Sequence, residues 1–263
     1  MLTTSYVTGA PNWVDLGTPD IDGAASFYGA LFGWRFEPGP PESGGYGFFQ
    51  LDGKTVAGGM PSPAEDGPPS WTVYFQTPDA DATAKATEQA HGKVLMQPMD
   101  VMDQGRMAIL ADKAGVPFGI WQPGRLKGLD VTQEPGSLCW VELYTADQPM
   151  AAWFYHTVLG LETYGVDFPG GTYTTINPAG ASEDAMFGGI VPLADDPTEA
   201  EGTPYWLPYF EATDVDEVVS KAEAGGGRVR MPATDVPGVG RVARLADPYG
   251  ARFAVIKSAP AQG

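Results

Sequence analysis

Histidine is nearly missing from this 263-residue chain, which holds two, and cysteine is rarer still, with one. A single thiol excludes an internal disulfide, which suits a reducing compartment, and no His or Lys stands beside Cys139 to activate it as a nucleophile. Basic residues are scarce too: 15 Lys and Arg stand against 33 Asp and Glu, a formal charge of −18. Such a field repels phosphate backbones and anionic lipid headgroups, so neither nucleic acid nor a membrane surface is expected as a partner. No apolar run reaches the roughly 20 residues of a membrane span, and the amino-terminal MLTTSYVTGA lacks the basic and apolar segments of a signal peptide. The chain therefore reads as cytoplasmic. Its glycine runs, AGGMP, FGGI and AGGGRV, lack the strand-to-helix context of a phosphate-binding loop and read as turns or bulges.

What the chain does have is repetition. WVDLGTPDIDGAASFYGALFGW begins at Trp13, and WVELYTADQPMAAWFYHTVLGL begins at Trp140, 127 positions later. YFEATDVDEVV from Tyr209 copies YFQTPDADATA from Tyr74, and GRVARLADPYGARFAVI from Gly240 copies GRMAILADKAGVPFGIW from Gly105, both at an offset of 135. The larger offset places an insertion in LADDPTEAEGTPYW. A long-period duplication of this kind is the main organising fact of the sequence.

Each copy alternates like a strand and then turns helical. Val14 and Leu16 fall on one face, Trp13 and Asp15 on the other. Asp20 is placed to cap a helix whose Ala24, Phe27, Tyr28 and Leu31 recur at helical spacing, and Gly33 ends it. Asp52-Gly53 joins two extended runs, with room for a further short strand near GGMP. The next unit opens at WTVYFQTPD, carries a helix from Asp79 to about His91, and closes with three strands, the last hairpin turning at Asp112 to Gly115. The reading is an α+β protein of four βαβββ modules, at about 11–61, 70–122, 138–192 and 204–257. They pair into a first domain, 1–122, and a second, 138–263, joined by a Gly- and Pro-rich linker, 123–137.

FYGALFGW with FYHTVLGL, and the closing LADPYGARFAVI, resemble the vicinal oxygen chelate superfamily, the glyoxalase, bleomycin-resistance and extradiol dioxygenase group. The resemblance spans nearly the whole chain and implies two curved, glyoxalase-like sheets in tandem with helices outside, similar to a covalent dimer of single-domain relatives. A further homodimer is left open. Metal-dependent members place His, Gln or Glu at the start of a module's first strand and Glu on its last strand. Here the matching positions hold Trp13, Thr72, Trp140, Leu207, Gly119 and Ala254, and His91 and His156 fall on helices. No metal and no cofactor is expected.

In place of ligands, the cups are expected to hold aromatic, amide and thioether side chains: Trp13, Phe48, Met60, Tyr74, Gln76 and Trp121 in one, and Trp140, Tyr144, Tyr173 and Tyr209 in the other. Tyr46, Thr175 and Ile190 lie near them in sequence order. Such linings suit a bulky, hydrophobic, aromatic small molecule, held without a metal for resistance or as an accessory to biosynthesis. The carboxylates Asp15, Glu142 and Glu211 are the candidate general bases of an alternative reading, a glyoxalase-like lyase or isomerase, or a hydroxylase. A third reading is a scaffold with both cups plugged by their tryptophans. Gly17 matches Tyr144 and Phe48 matches Thr175, so one cup can be functional while the other is filled. Arg106 and Arg241 read as exposed strand residues, with a grip on an anionic ligand as the lesser alternative.

Overall fold

The computed structural model describes residues 2–63, 65, 67–168, 171–181, 185–196 and 202–259. The first module comprises β1 (Pro11–Thr18), α1 (Ile21–Phe32), β2 (Arg35–Pro38), β3 (Gly47–Leu51) and β4 (Lys54–Pro61). The second comprises β5 (Ser70–Gln76), α2 (Ala80–Gln89), β6 (Lys93–Val101), β7 (Gly105–Ala111) and β8 (Pro117–Pro123). In the third stand β9 (Leu138–Thr145), α3 (Gln148–Leu159), β10 (Glu162–Phe168), β11 (Gly171–Asn177) and β12 (Gly188–Pro192). The fourth holds β13 (Tyr205–Glu211), α4 (Val215–Ala224), β14 (Arg228–Val236), β15 (Gly240–Ala246) and β16 (Arg252–Ser258). Two eight-stranded sheets result, ordered β2-β3-β4-β1-β5-β8-β7-β6 and β10-β11-β12-β9-β13-β16-β15-β14. Four βαβββ modules and an α+β class are thus what the chain builds.

Two local readings change. The further strand of the first module is Arg35–Pro38, an exposed edge strand whose alternation is too weak to read, while GGMP is simply the end of β4. His91 lies past the end of α2, at φ 65°, and not on the helix. Of the inserted loop, residues 197–201 lie outside the described residues.

The helices start where they do for one repeated reason. The side chains of Asp20, Asp79, Asp147 and Asp214 accept the backbone N–H of Gly23, Ala82, Met150 and Glu217, at 2.9, 2.9, 3.0 and 3.1 Å. Each satisfies one of the donors a helix start leaves unpaired. At the other end of α1 and α3, Gly33 and Gly160 take left-handed conformations that a side chain would oppose.

By contact the chain sorts into two compact units, one drawing mainly on the first and fourth modules and the other on the second and third. One takes Val14–Trp71, Leu129–Cys139 and Pro208–Gly263 and packs α1 on α4. Its core is aromatic: Tyr28, Trp34, Phe49, Trp71, Phe210 and Phe253 touch one another ring to ring. The segment before β9 is pinned there, with Trp34 Nε1 donating to the Gly136 carbonyl at 2.7 Å and Thr55 N to Asp130 Oδ2 at 2.8 Å. The other unit takes Met1–Trp13, Thr72–Gly128 and Trp140–Leu207, packs α2 on α3, and clusters Phe75, Phe118, Phe154, Tyr155, Phe187 and Trp206.

Both units bury the same relay. Trp71 Nε1 donates to Tyr28 Oη at 3.0 Å, which donates to Asp247 Oδ2 at 3.2 Å. Trp206 Nε1 donates to Tyr155 Oη at 2.9 Å, which donates to Asp112 Oδ2 at 3.3 Å. The second carboxylate oxygen accepts backbone N–H groups of its own hairpin: Ala114 and Val116 for Asp112, and Tyr249, Gly250 and Ala251 for Asp247. Burial pushes both carboxyls above their ordinary value and both tyrosine hydroxyls well above theirs. The relay fixes the last hairpin of one module to the helix of another.

Candidate functional site

On β9, Glu142 is almost fully buried and points to the same face as Trp140 and Tyr144. Its Oε1 accepts the hydroxyl of Tyr173 at 2.7 Å and its Oε2 that of Tyr144 at 2.8 Å. Tyr173 Oη in turn accepts Trp140 Nε1 at 3.0 Å. The ring of Tyr173 lies over Gly189, where an added Cβ would meet its hydroxyl at 2.0 Å. Tyr144 has no exposed surface; its ring stacks on Tyr205 with centroids 5.0 Å apart and an 8° interplanar angle. The Tyr205 hydroxyl donates to Asp196. Two of the chain's own phenols therefore fill this side of the strand.

Asp15 occupies the equivalent place on β1 and is equally buried. The counterpart of Tyr173, Tyr46, donates its hydroxyl to Asp15 Oδ2 at 3.3 Å and meets Phe48 edge-on, at 5.9 Å and 79°. Register places Phe48, Gly58 and Asp15 side by side on adjacent strands, and Gly17 beside Met60. Directly opposed residues share a face, so a glycine separates an aromatic ring from a carboxylate here. The counterparts of Tyr144 and Tyr205 are Gly17 and Ser70. Gly17 is half-buried and Ser70 exposed, and the atoms nearest a Cβ added at Gly17 would be those of Ser62 and the Ser70 carbonyl, at 3.4 Å and beyond.

Several sequence candidates serve elsewhere. Glu211 accepts Ser258 N and Oγ at 2.9 and 2.6 Å, holding the end of β16. Gln76 donates to the Tyr6 carbonyl and lines, with Tyr6, Val7, Thr77, Gln122 and Lys127, a depression of about 620 Å³ that includes neither Asp15 nor Glu142. Trp121 is buried with Nε1 on the Leu126 carbonyl at 2.9 Å. Tyr209 is buried on β13 beside Ala254, and Trp13 is buried on β1. Ile190 pairs with Leu143 on the core face, so Val191, paired with Tyr144, is the true match of Met60. Cys139 is buried, with Sγ on the Tyr209 carbonyl, and burial raises its pKa, which leaves it unreactive. Arg106 is engaged by Asp81 and Asp100, and Arg241 by Asp216 and Asp235, so both guanidiniums are already matched with acids. The sequence shows Asp112 and Asp247 only as turn residues and gives no sign of Ser70 or Tyr205; extending the 135-residue comparison to every position pairs Asp112 with Asp247 and Ser70 with Tyr205.

The positions where metal-dependent relatives place ligands are unsuited to that work here. Tyr74 lies over Gly119, whose added Cβ would stand 2.1 Å from the ring. Trp13 and Trp140 offer an indole, and Thr72, Leu207 and Ala254 no anionic or imidazole donor. Among the described residues no three His, Cys, Asp or Glu side chains gather as a metal site requires. This donor set does not fit a resident divalent ion at those positions.

Sequence comparison agrees with the duplication seen in the strands. Residues 10–120 and 137–255 each match the Glyoxalase/Bleomycin resistance protein/Dioxygenase superfamily, and the chain belongs to that superfamily. Among its relatives are the "Anthracycline biosynthesis protein DauV" of Streptomyces sp. (strain C5), 40% identical over 97% of this chain and 95% of that one, and the "Putative glyoxylase CFP32" of Mycobacterium tuberculosis, 38% identical over 98% of both. The 2,2',3-trihydroxybiphenyl 1,2-dioxygenase of Sphingomonas wittichii strain RW1 shares the fold, with a TM-score of 0.64 over 96% of this chain and 91% of that one at 15% identity. Among the described residues no helix is long and apolar enough to cross a membrane.

Proposed function

We propose that the Asp15 site binds a planar, polycyclic aromatic metabolite without a metal, and that the protein is an accessory to the biosynthesis of such compounds. One observation carries this reading: Gly17 and Ser70 stand where the Glu142 site is filled by the stacked Tyr144 and Tyr205. Phe48 adds an aromatic wall, and Asp15 with Tyr46 adds the few placed polar groups that orient a ligand in an apolar site. The relative named for anthracycline biosynthesis supports the same class, since anthracyclines are fused planar ring systems. The donor set described above argues for binding without a divalent ion.

Titration of intrinsic tryptophan fluorescence with anthraquinones tests this. Saturable quenching is expected, abolished by Gly17→Tyr and retained in Tyr144→Phe. Failure of every compound to bind, or zinc or manganese held stoichiometrically through dialysis by protein side chains in this site, would overturn the reading. The relative named as a glyoxylase favours a second one, in which Asp15 acts as general base on a thiol adduct of methylglyoxal. Turnover of that adduct, lost in Asp15→Asn, would establish it.

A further inference from the structure

The outermost strand of the first sheet, β6, gathers methionine where its repeat, β14, does not. Among the described residues four methionines are exposed, and three of them, Met96, Met99 and Met102, fall on this strand and the turn after it, at 44, 48 and 62 %. Leu95 beside them is exposed as well. Register carries the pattern inward: Met99 stands opposite Met107 on β7, and Met107 opposite Trp121 on β8. Directly opposed residues share a face, so two thioethers and an indole form one row across three strands. The same row in the second half is Thr234, Val242 and Ile256, in the same pairing. Leu95 and Met102 are matched by Arg230 and Pro237, and Met96 alone keeps its sulfur, in the half-buried Met231. Strand, bulge and register are repeated, and most of the sulfur is not.

We propose that this edge of the first sheet is a site of reversible methionine oxidation by hydroperoxides. A thioether carries a polarisable lone pair that needs access to the oxidant in order to react, and access is what β6 and its turn provide. The sulfur lone pair attacks one oxygen of hydrogen peroxide as the O–O bond breaks. That oxygen stays on sulfur, and the other leaves as water with both protons. Sulfur loses two electrons and the peroxide gains them, so no further co-reactant is needed. Each event turns a flexible apolar side chain into a polar sulfoxide, which dithiol-driven reductases return to the thioether. An apolar edge strand is prone to associate with other chains, so three sulfoxides on β6 and its turn would make this edge polar and less adhesive.

Peptide mass mapping of the full-length chain during a hydrogen peroxide time course tests this. Met96, Met99 and Met102 are expected to gain one oxygen each first, the exposed Met60 next, and the half-buried Met107, Met150, Met186 and Met231 last. Methionine sulfoxide reductases A and B with dithiothreitol should remove the first three oxygens from the folded protein. Retention on a hydrophobic-interaction column should shorten on oxidation and recover on reduction. Met96→Leu, Met99→Leu and Met102→Leu combined should lose most of that shift. The methionine introduced by Thr234→Met, at the matching exposed place on β14, should be oxidised as fast as Met99. Oxidation of Met107 before or together with Met99, or sulfoxides that the reductases leave in place, would overturn the proposal. So would a triple variant whose retention shifts on peroxide treatment as far as that of the wild type.

Discussion

Tyr144 is fully buried where its repeat partner Gly17 is half-buried, and Tyr205 is half-buried where Ser70 is exposed. The strands that carry them, their register with the neighbouring strand and the carboxylate two residues earlier are the same in both halves. What differs is whether the protein completes the site with its own rings. A duplicated scaffold can thus keep its strands, register and carboxylate while changing the side chains packed around them, and on the reading proposed above the small residues Gly17 and Ser70 make room for a ligand.

The sharpest way to break this contrast is to make the second site resemble the first. Tyr144→Gly deletes a buried ring with its stacking and hydrogen bond, and should cost about 3–5 kcal/mol, read as a drop in Tm. Added p-cresol, the side chain as a free molecule, should then raise the Tm of Tyr144→Gly more than that of the wild type, as cavities left by deleted rings accept small aromatics. The reverse change, Gly17→Tyr, should leave Tm close to that of the wild type. A Tm loss in Gly17→Tyr matching that in Tyr144→Gly would show that the two sites are not equivalent frames.

The buried relays ask whether the two units are alike below the sites. Tyr28→Phe and Tyr155→Phe each strip the hydroxyl that links an indole N–H to a buried carboxyl. Each should cost about 1–3 kcal/mol by denaturant unfolding, and by the same amount, because both leave the same two groups without a partner. Unequal losses would mean that one unit has a substitute partner within reach.

Much of this architecture could be read in the sequence, and the reason is locality. Strand alternation, the four capping aspartates and the left-handed glycines act over a few residues, so the sequence displays them directly. Asp112 and Asp247 could be recognised only as turn residues, because their tyrosine partners lie 43 and 219 positions away. Glu211 looked like a cavity acid because strand parity says which face it takes but not that Ser258 waits at the strand end. The Gly17 and Tyr144 mismatch was visible; its meaning needed Tyr205 stacked on the ring and Ser70 in the matching place.

The pH dependence of stability should separate buried from exposed acids in both units at once. Burial raises the folded-state pKa of Asp112 and Asp247 above the ordinary 3.8. Their contribution is therefore whole below that value and lost as pH rises through the raised one. Asp81 and Asp216 run the other way, since Arg106 and Arg241 hold their pKa values down. Theirs is present above 3.8 and lost as pH falls through the lowered values. Asp112→Asn and Asp247→Asn should each remove the same decline in stability with rising pH from an otherwise similar unfolding curve.

The smallest effects belong to the surface pairs, and they test the comparison from outside the sites. Arg106 with Asp81 and Asp100, and Arg241 with Asp216 and Asp235, repeat the same fork at an offset of 135. All the acids are exposed, so water and salt screen them, and holding long side chains in one geometry costs entropy. Arg106→Ala and Arg241→Ala should move Tm only slightly, equally, and less at high salt, with anthraquinone binding unchanged in both. Loss of binding in Arg106→Ala alone would tie the guanidinium to the ligand and show that the fork in the first half serves recognition as well as the strand pairing it shares with the second.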